Sequence, residues 1–419
     1  MSVAQATIAP STVASTRWVQ LGLGLVTMMA ISSPQYVWTL FTKPFGEVTG
    51  ASLAAIQVTF TIVIVLQTFF SPVQGYLLDR FSPKLMIALG TALSGLGWVL
   101  SAYATSLFTL YLTYGLFCGI GTGIVYVGII GLMVRWFPDR RGFAAGLVAA
   151  GYGMGAMFTS FPITSMLETS GYRATLITFG IILGAVGVLA ALGLRAPRHG
   201  EVTASAATIH NAGRDTKPAD MLRTPLFWLM FVMMTMMSTG GLMVTSNFAN
   251  FARDFGVANA VVFGLAALPL ALTFDRFMNG FTRPFFGWVS DNIGRENTMG
   301  IAFILEGIAI ALLLYYRENP YMFVFLSGVV FFGWGEIFSL FPSTLTDSFG
   351  TKHATTNYGF LYIAQGIGSI LGGPVAALMR ESLGSWVPVF AVVICLDILT
   401  GILALVLLKP MRARHSAQA

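Results

Sequence analysis

Twelve times along this chain, about twenty apolar residues follow one another with few charges among them. No other feature restricts the fold as strongly, because a helix of that length crosses the hydrocarbon of a bilayer. In lipid the backbone must satisfy its own hydrogen bonds, and a long apolar run does so as an α-helix. The runs lie near 18–42, 53–78, 85–103, 107–134, 143–166 and 174–194, then 226–250, 259–289, 299–316, 321–345, 355–379 and 387–408. Between the sixth and seventh stands the polar stretch RAPRHGEVTASAATIHNAGRDTKPADMLRTP. The pattern predicts an all-α membrane protein with twelve transmembrane helices in two six-helix halves. Its parts are a tail (1–16), a first half (17–194), a linker (195–225), a second half (226–408) and a closing tail (409–419).

Composition agrees where it bears on this reading. Only 10% of the 419 residues are charged, against about a quarter in soluble domains. The 46 glycines suit helices that approach closely in lipid. Cys118 and Cys395 lie in apolar runs, so no disulfide framework is expected. His199, His210, His353 and His415 fall in polar segments, which argues against a histidine metal site or a catalytic histidine in the membrane. The first 16 residues hold no cation, and no cleaved leader is expected. No cofactor is expected either.

Charge orients the chain. If the N-terminus is cytoplasmic, sixteen of the 23 lysines and arginines fall on the cytoplasmic side and five on the other, with Arg276 and Arg283 left inside the membrane. The positive-inside rule then places both termini and the linker in the cytoplasm, with the protein in the cytoplasmic (inner) membrane. This topology also explains the net charge of +6, which therefore implies no nucleic-acid partner.

The halves resemble each other. GYLLDRFSPK (Gly75 to Lys84) joins the second and third runs, and GWVSDNIGRE (Gly287 to Glu296) joins the eighth and ninth. Each is Gly-x-x-x-Asp at a helix end, followed by a tight basic turn. Such repeats mark many secondary transporters, which bind substrate near the midplane between halves. On these loops, the six-plus-six layout and the basic linker, the chain resembles the major facilitator superfamily. The first loop departs from that pattern, with Ser82-Pro83 where Gly-Arg is usual. Longer strings resemble the oxalate/formate antiporter family, a group related to the monocarboxylate transporters. They are RWFPDRRGFAAGLVAAGYGMG (135–155), MLRTPLFW (221–228), RPFFGWVSDNIGR (283–295) and NYGFLYIAQGIGSILGG (357–373).

Three charges stand within nine residues of the eighth run, Asp275, Arg276 and Arg283. Each costs at least roughly 2.5–3.5 kcal/mol at bilayer depth. Arg276, Asn279, Gly280 and Arg283 share one helix face, and the two arginines are about 10 Å apart along it. In the plainer reading Arg283 snorkels to the cytoplasmic end and Asp275 merely balances a neighbour. In the functional reading the guanidiniums face a central cavity, where the planar fork of arginine matches a carboxylate.

The family resemblance adds roles. It implies that Arg283, in RPFFG, is a substrate-binding cation. The family's second cation is a lysine on the eleventh helix, and Gln365 stands there. Either Arg276 supplies the second charge, or the substrate is a monocarboxylate. The resemblance also places Gln35, Tyr36, Tyr126, Tyr152, Trp334 and Tyr362 around the pocket, and it implies a monomer that meets a small carboxylate and membrane lipid. Each aromatic alone is ordinary in a membrane protein; as a ring they would exclude water while their hydroxyls donate to an anion.

Of the remaining intramembrane acids, Glu336 lies beside the expected pocket, and Glu306 and Asp397 lie on the ninth and twelfth runs. Burial disfavours an ionised carboxyl, so Asp275 and Glu336 are candidates for a proton site. The loop residues Asp79, Arg80, Arg140, Arg141, Asp291 and Arg295 are read as gates. As exposed pairs each would contribute about 0–1 kcal/mol. Gly115, Gly119, Gly123, Gly151 and Gly155, spaced at four, are read as close-packing positions in the fourth and fifth helices.

The leading expectation is a secondary carrier of small carboxylates, working by exchange or by proton symport. A sensor on the same fold would need a signalling domain that the linker does not offer. An enzyme would need a nucleophile–base pair or metal cluster, and neither is visible. A multidrug exporter for lipophilic cations suits two pocket arginines poorly.

Overall fold

The structure is a computed structural model that describes residues 10–51, 53–198, 201–202 and 215–418. His199, His210, Arg214, most of the linker and the start of the N-terminal tail lie outside the described residues. The helices, in order, are α1 (Pro10–Ala30), α2 (Ser33–Tyr36), α3 (Trp38–Thr49), α4 (Leu53–Phe69), α5 (Ser71–Arg80), α6 (Pro83–Ser101), α7 (Leu107–Leu110), α8 (Gly119–Trp136) and α9 (Arg141–Leu192). The second half holds α10 (Pro218–Met221), α11 (Pro225–Asp254), α12 (Ala267–Ile293), α13 (Arg295–Tyr315), α14 (Pro320–Trp334), α15 (Ile337–Phe349), α16 (Ala354–Ile370), α17 (Ala376–Leu383), α18 (Val387–Leu403) and α19 (Lys409–Gln418). Wider π turns join α7 to α8, α16 to α17 and α18 to α19.

Among the described residues, nine helices are long and apolar enough to cross a membrane, and α4 with α5, bent by 47° at their break, makes a tenth. The other two of the twelve expected spans are less apolar or less continuous for identifiable reasons. The first is interrupted, because α1 stops at Ala30 and the chain turns through α2 before α3. The eighth, α12, carries Asp275, Arg276, Arg283 and Asp291. The fifth and sixth spans share α9, which reverses at Gly171, where φ is +77°.

One boundary differs from expectation. The eighth run was expected from 259, but Val261–Val262 and Leu265–Ala266 pair as a two-stranded hairpin. Phe263 and Gly264 turn it with positive φ, and the helix begins only at Ala267. Gly115, Gly119 and Gly123, read as close-packing positions of the fourth span, pack onto the second: a methyl on Gly119 would lie 3.0 Å from Leu66 Cβ. Gly151 and Gly155 meet Leu25 and Met29 of α1.

One apolar core runs through both halves, and a second, built on Trp38, Phe41, Phe45, Trp98 and Tyr114, fills the first half. The halves meet along two seams, α9 against α12 and α5 against α16. On the first, a methyl on Gly142 would lie 2.5 Å from the Gly287 carbonyl oxygen; on the second, one on Gly75 would lie 2.6 Å from the Thr355 carbonyl oxygen. Only glycine permits backbones this close. The repeated Gly-x-x-x-Asp signature thus places a glycine where each half presses on the other.

Candidate functional site: a buried arginine in an aromatic enclosure

Arg283 is fully buried. Its Nη1 donates to the Ala149 carbonyl across the seam (2.7 Å), and its Nη2 donates to Asn279 Oδ1 one turn earlier (2.7 Å). Its Nε has no partner, and the guanidinium carbon sits 4.4 Å from the centroid of the Phe338 ring. Both acceptors are neutral, and no carboxylate pairs with it among the described residues. The guanidinium thus lies deep at the junction of the halves, which argues against the snorkelling reading. Pro284 follows, in a stretch of α12 where Gly146 of α9 presses against the Arg283 carbonyl.

From this cation the rings run in sequence. Phe338 meets Trp334 edge-on (5.6 Å) and Tyr126 (6.3 Å). Tyr126 stacks on Tyr362 (5.0 Å, 10°) and meets Tyr152 edge-on (5.2 Å), and Tyr152 meets Tyr36 (5.4 Å). Arg276, half-buried, closes the series with its guanidinium carbon 5.5 Å from the Tyr36 centroid. The Tyr152 hydroxyl donates to Gln35 Oε1, and Gln67 donates to the Tyr362 hydroxyl (3.0 Å). The residues singled out on both halves, Gln365 apart, therefore form one continuous series of contacts, with an arginine near each end.

Two members were not anticipated. Gln67 enters from α4, and Tyr358 stacks on Tyr362 (5.6 Å). The Tyr358 and Tyr126 hydroxyls, Gln67 Oε1 and Gln365 Oε1 are all buried without a hydrogen-bond partner among the described residues. Spacing carried a signal for Tyr358, which is one turn before Tyr362 and two before Gln365. The site thus offers an unpaired cation and two hydroxyl donors, with two amide oxygens left as acceptors, among buried rings. It can hold a small anion by charge-assisted hydrogen bonds. The two arginines, on one helix face, could also hold the two ends of a dianion.

Of the proton candidates, Asp275 is buried beside Arg276 and Ser327, and both its oxygens lack partners. Glu336 is fully buried, lacks partners at both oxygens and lies in the field of Arg283.

The gate residues sit at one end of the seams and do more than was expected of them. Asp79 Oδ2 accepts from the Thr356 backbone N–H (2.8 Å) and hydroxyl (2.5 Å) at the start of α16. Asp291 accepts from the Gly142 and Phe143 N–H groups (3.1 and 3.0 Å) at the start of α9. Each half thus caps a helix N-terminus of the other, where unpaired N–H groups and the helix dipole favour an anion. Arg135 pairs with Asp79, and Arg295 with Asp291. Asp347 joins the latch by binding Arg141 (2.5 Å) across the seam and Arg295 (2.9 Å).

This changes the expected energetics. The side chains of Arg141, Arg295 and Asp347 are at most 10% exposed. Removing one partner of such a buried pair costs about 3–5 kcal/mol, rather than the small value of an exposed pair. Arg80 and Arg140 take no part in the inter-half latch. Arg80 points outward and donates to the Tyr76 hydroxyl (2.8 Å), and the exposed Arg140 faces Asp139 (3.7 Å).

Comparison with known proteins agrees with this architecture. The sequence profile of the Major Facilitator Superfamily matches residues 21–277 and 270–419. The chain is 36% identical over 369 residues to the oxalate:formate antiporter of Oxalobacter formigenes, covering 88% of this chain and 86% of that protein. It is 25% identical over 340 residues to monocarboxylate transporter 13 of Bos taurus, covering 79% and 75% of the two chains. A solved proton:xylose symporter, bound to 6-bromo-6-deoxy-D-glucose, superposes with a TM-score of 0.73 at 13% identity, covering 94% of this chain and 96% of that one. That last likeness concerns the fold alone.

Proposed function

The chain belongs to the Major Facilitator Superfamily, and from that premise we propose that it carries small organic carboxylates across the membrane by alternating access, exchanging one anion for another. The observation that carries this reading is Arg283, a buried cation bonded only to neutral acceptors and enclosed by aromatic rings where the halves meet. Leaving such a charge unpaired is costly, and a bound carboxylate offsets that cost. The likeness to an oxalate:formate antiporter supports the same substrate class.

Residues 17–194 and 226–408 are the two bodies that rock, with the cavity between them. Asp79, Asp291 and Asp347 hold one end shut in this conformation. The weight of basic residues at that end makes it the cytoplasmic one, with both termini inside the cytoplasmic membrane and the carrier working as a monomer. Proton-coupled uptake of a monocarboxylate is the second reading, and the unpartnered Glu336 within the field of Arg283 favours it.

Proteoliposomes preloaded with formate, oxalate or lactate test the proposal. Labelled oxalate or formate should enter against an internal carboxylate without any pH gradient, and the Arg283→Gln protein should not support that entry. Uptake that requires an inward acid gradient and ignores internal anion would replace exchange with symport. No carboxylate uptake under either condition would overturn the substrate class.

A further inference from the structure

Outside the anion enclosure, Glu306, Glu336 and Asp397 are fully buried, and none of their six carboxyl oxygens has a hydrogen-bond partner among the described residues. They come from separate stretches of the second half, α13, the junction of α14 with α15, and α18. Glycines on the facing helices make room for them. A methyl on Gly333 of α14 would lie 2.7 Å from Glu306 Cβ, one on Gly240 of α11 would lie 2.8 Å from Asp397 Oδ1, and one on Gly307 of α13 would lie 3.5 Å from Asp397 Cβ. Glu336 is one turn beyond Gly333. The three acids lie within one another's field. Beside them Trp334, pressed onto Gly241, buries an indole N–H that also lacks a partner.

The surroundings supply little that could stabilise three negative charges. Facing the group are Arg283 from α12, whose field reaches Glu336, and Gly240 of α11, against Asp397. Among the described residues no arginine or lysine forms an ion pair with any of the three, and no group of acids is arranged to hold a metal ion. Ionised carboxyls without a cation, water or donor are strongly disfavoured.

We propose that Glu306, Glu336 and Asp397 form a proton-binding site in the second half, linked to the anion site through Glu336. The coupling rests on the carboxylate reading given above and follows from charge alone. While Arg283 is vacant, its positive field weakens the hold of Glu336 on a proton. A carboxylate bound at Arg283 cancels that field and tightens that hold. By linkage, a proton at Glu336 strengthens anion binding by the same factor that the anion strengthens proton binding.

Infrared difference spectroscopy of the full chain in lipid, with formate as the probe, tests both parts. At neutral pH the ligand-free protein should show protonated-carboxyl absorption that shifts in heavy water, and Glu306→Gln, Glu336→Gln and Asp397→Asn should each remove part of it. At an alkaline pH where Glu336 has lost part of its proton, formate should enlarge the component missing in the Glu336→Gln protein and draw protons, at most about one per anion, from a weakly buffered medium, an uptake lost in that variant. The wild-type spectrum decides the first part even if a variant fails to fold. Absence of this absorption, or its removal by sodium ions alone, would overturn the proton site. Formate binding without proton uptake would overturn the coupling. Failure of any carboxylate to bind would overturn the carboxylate reading and the coupling with it, while the ligand-free spectra would still decide whether the acids hold protons.

Discussion

Arg283 donates to Ala149 and Asn279 and keeps a third N–H free, so its contribution depends on shape as well as charge. Arg283→Lys retains the cation but loses the planar fork. It should weaken uptake roughly tenfold or more, with the substitution acting on KM. Arg283→Gln removes the charge, and truncating one side of a buried charged contact costs about 2–5 kcal/mol, at least roughly thirty-fold in uptake. Initial rates in proteoliposomes, with circular dichroism to verify folding, measure both. Gln365 is the complementary test. Gln365→Lys adds a second cation to the enclosure and should raise the preference for oxalate over formate by about tenfold in competition assays. An unchanged preference would remove Gln365 from the pocket. Arg283 was legible in the sequence because a charge in an apolar run is costly enough to need a reason. Tyr358 carried only its spacing from Tyr362, and a single tyrosine near the end of a membrane helix otherwise reads as an interface anchor. Beside it in the folded protein is Tyr126 of α8, far earlier in the chain.

At the scale of elements, the reciprocal capping of α9 and α16 sets the resistance of the closed end. Asp79→Asn and Asp291→Asn keep the side-chain shape but weaken the charge-assisted bonds to the helix N-termini. Each should cost about 1–3 kcal/mol, raising opening of that end by roughly five- to 150-fold. Hydrogen exchange at the Gly142, Phe143 and Thr356 amides is the measurement, and the double variant should exceed either single one. Unchanged exchange would mean that the glycine seams alone hold the halves together. The Gly-x-x-x-Asp loops marked both aspartates as gate residues, with a glycine that permits backbone contact one helical turn before each, but not as caps. Their partners were beyond sequence reasoning. Asp347 meets Arg141 across 206 residues without a motif of its own, and Arg135 opens a string that carries the family resemblance but names no partner for it. Arg80 and Arg140 show the converse failure, because proximity in sequence to a motif says nothing about which way a side chain faces.

For the whole molecule, hydrophobic length carried most of the architecture. Ten of the twelve expected spans satisfy length and apolarity in the folded protein when the bent pair counts as one. The remaining two are broken or charged where they border the enclosure, so the apolar pattern weakens near the site. Boundaries were less legible. The hairpin at 261–266 is apolar enough to extend a helix, and only the turn at Phe263 and Gly264 excludes it.

The neutrality of Arg283's partners has a consequence for bioenergetics. A vacant carrier changes conformation with an unbalanced positive charge at its centre, whereas a carrier holding a monoanion there does not. Moving a full charge across the membrane potential is worth about 2.3 kcal/mol per 100 mV, and a central site experiences part of that. Voltage should therefore govern the return of the vacant carrier and leave one-for-one exchange of monoanions nearly untouched. In vesicles clamped with potassium and valinomycin, net formate efflux should vary with the imposed potential while formate–formate exchange stays flat. A cell that keeps its interior negative would then hold such a carrier to exchange through its own electric field, with no additional gate to forbid a vacant return.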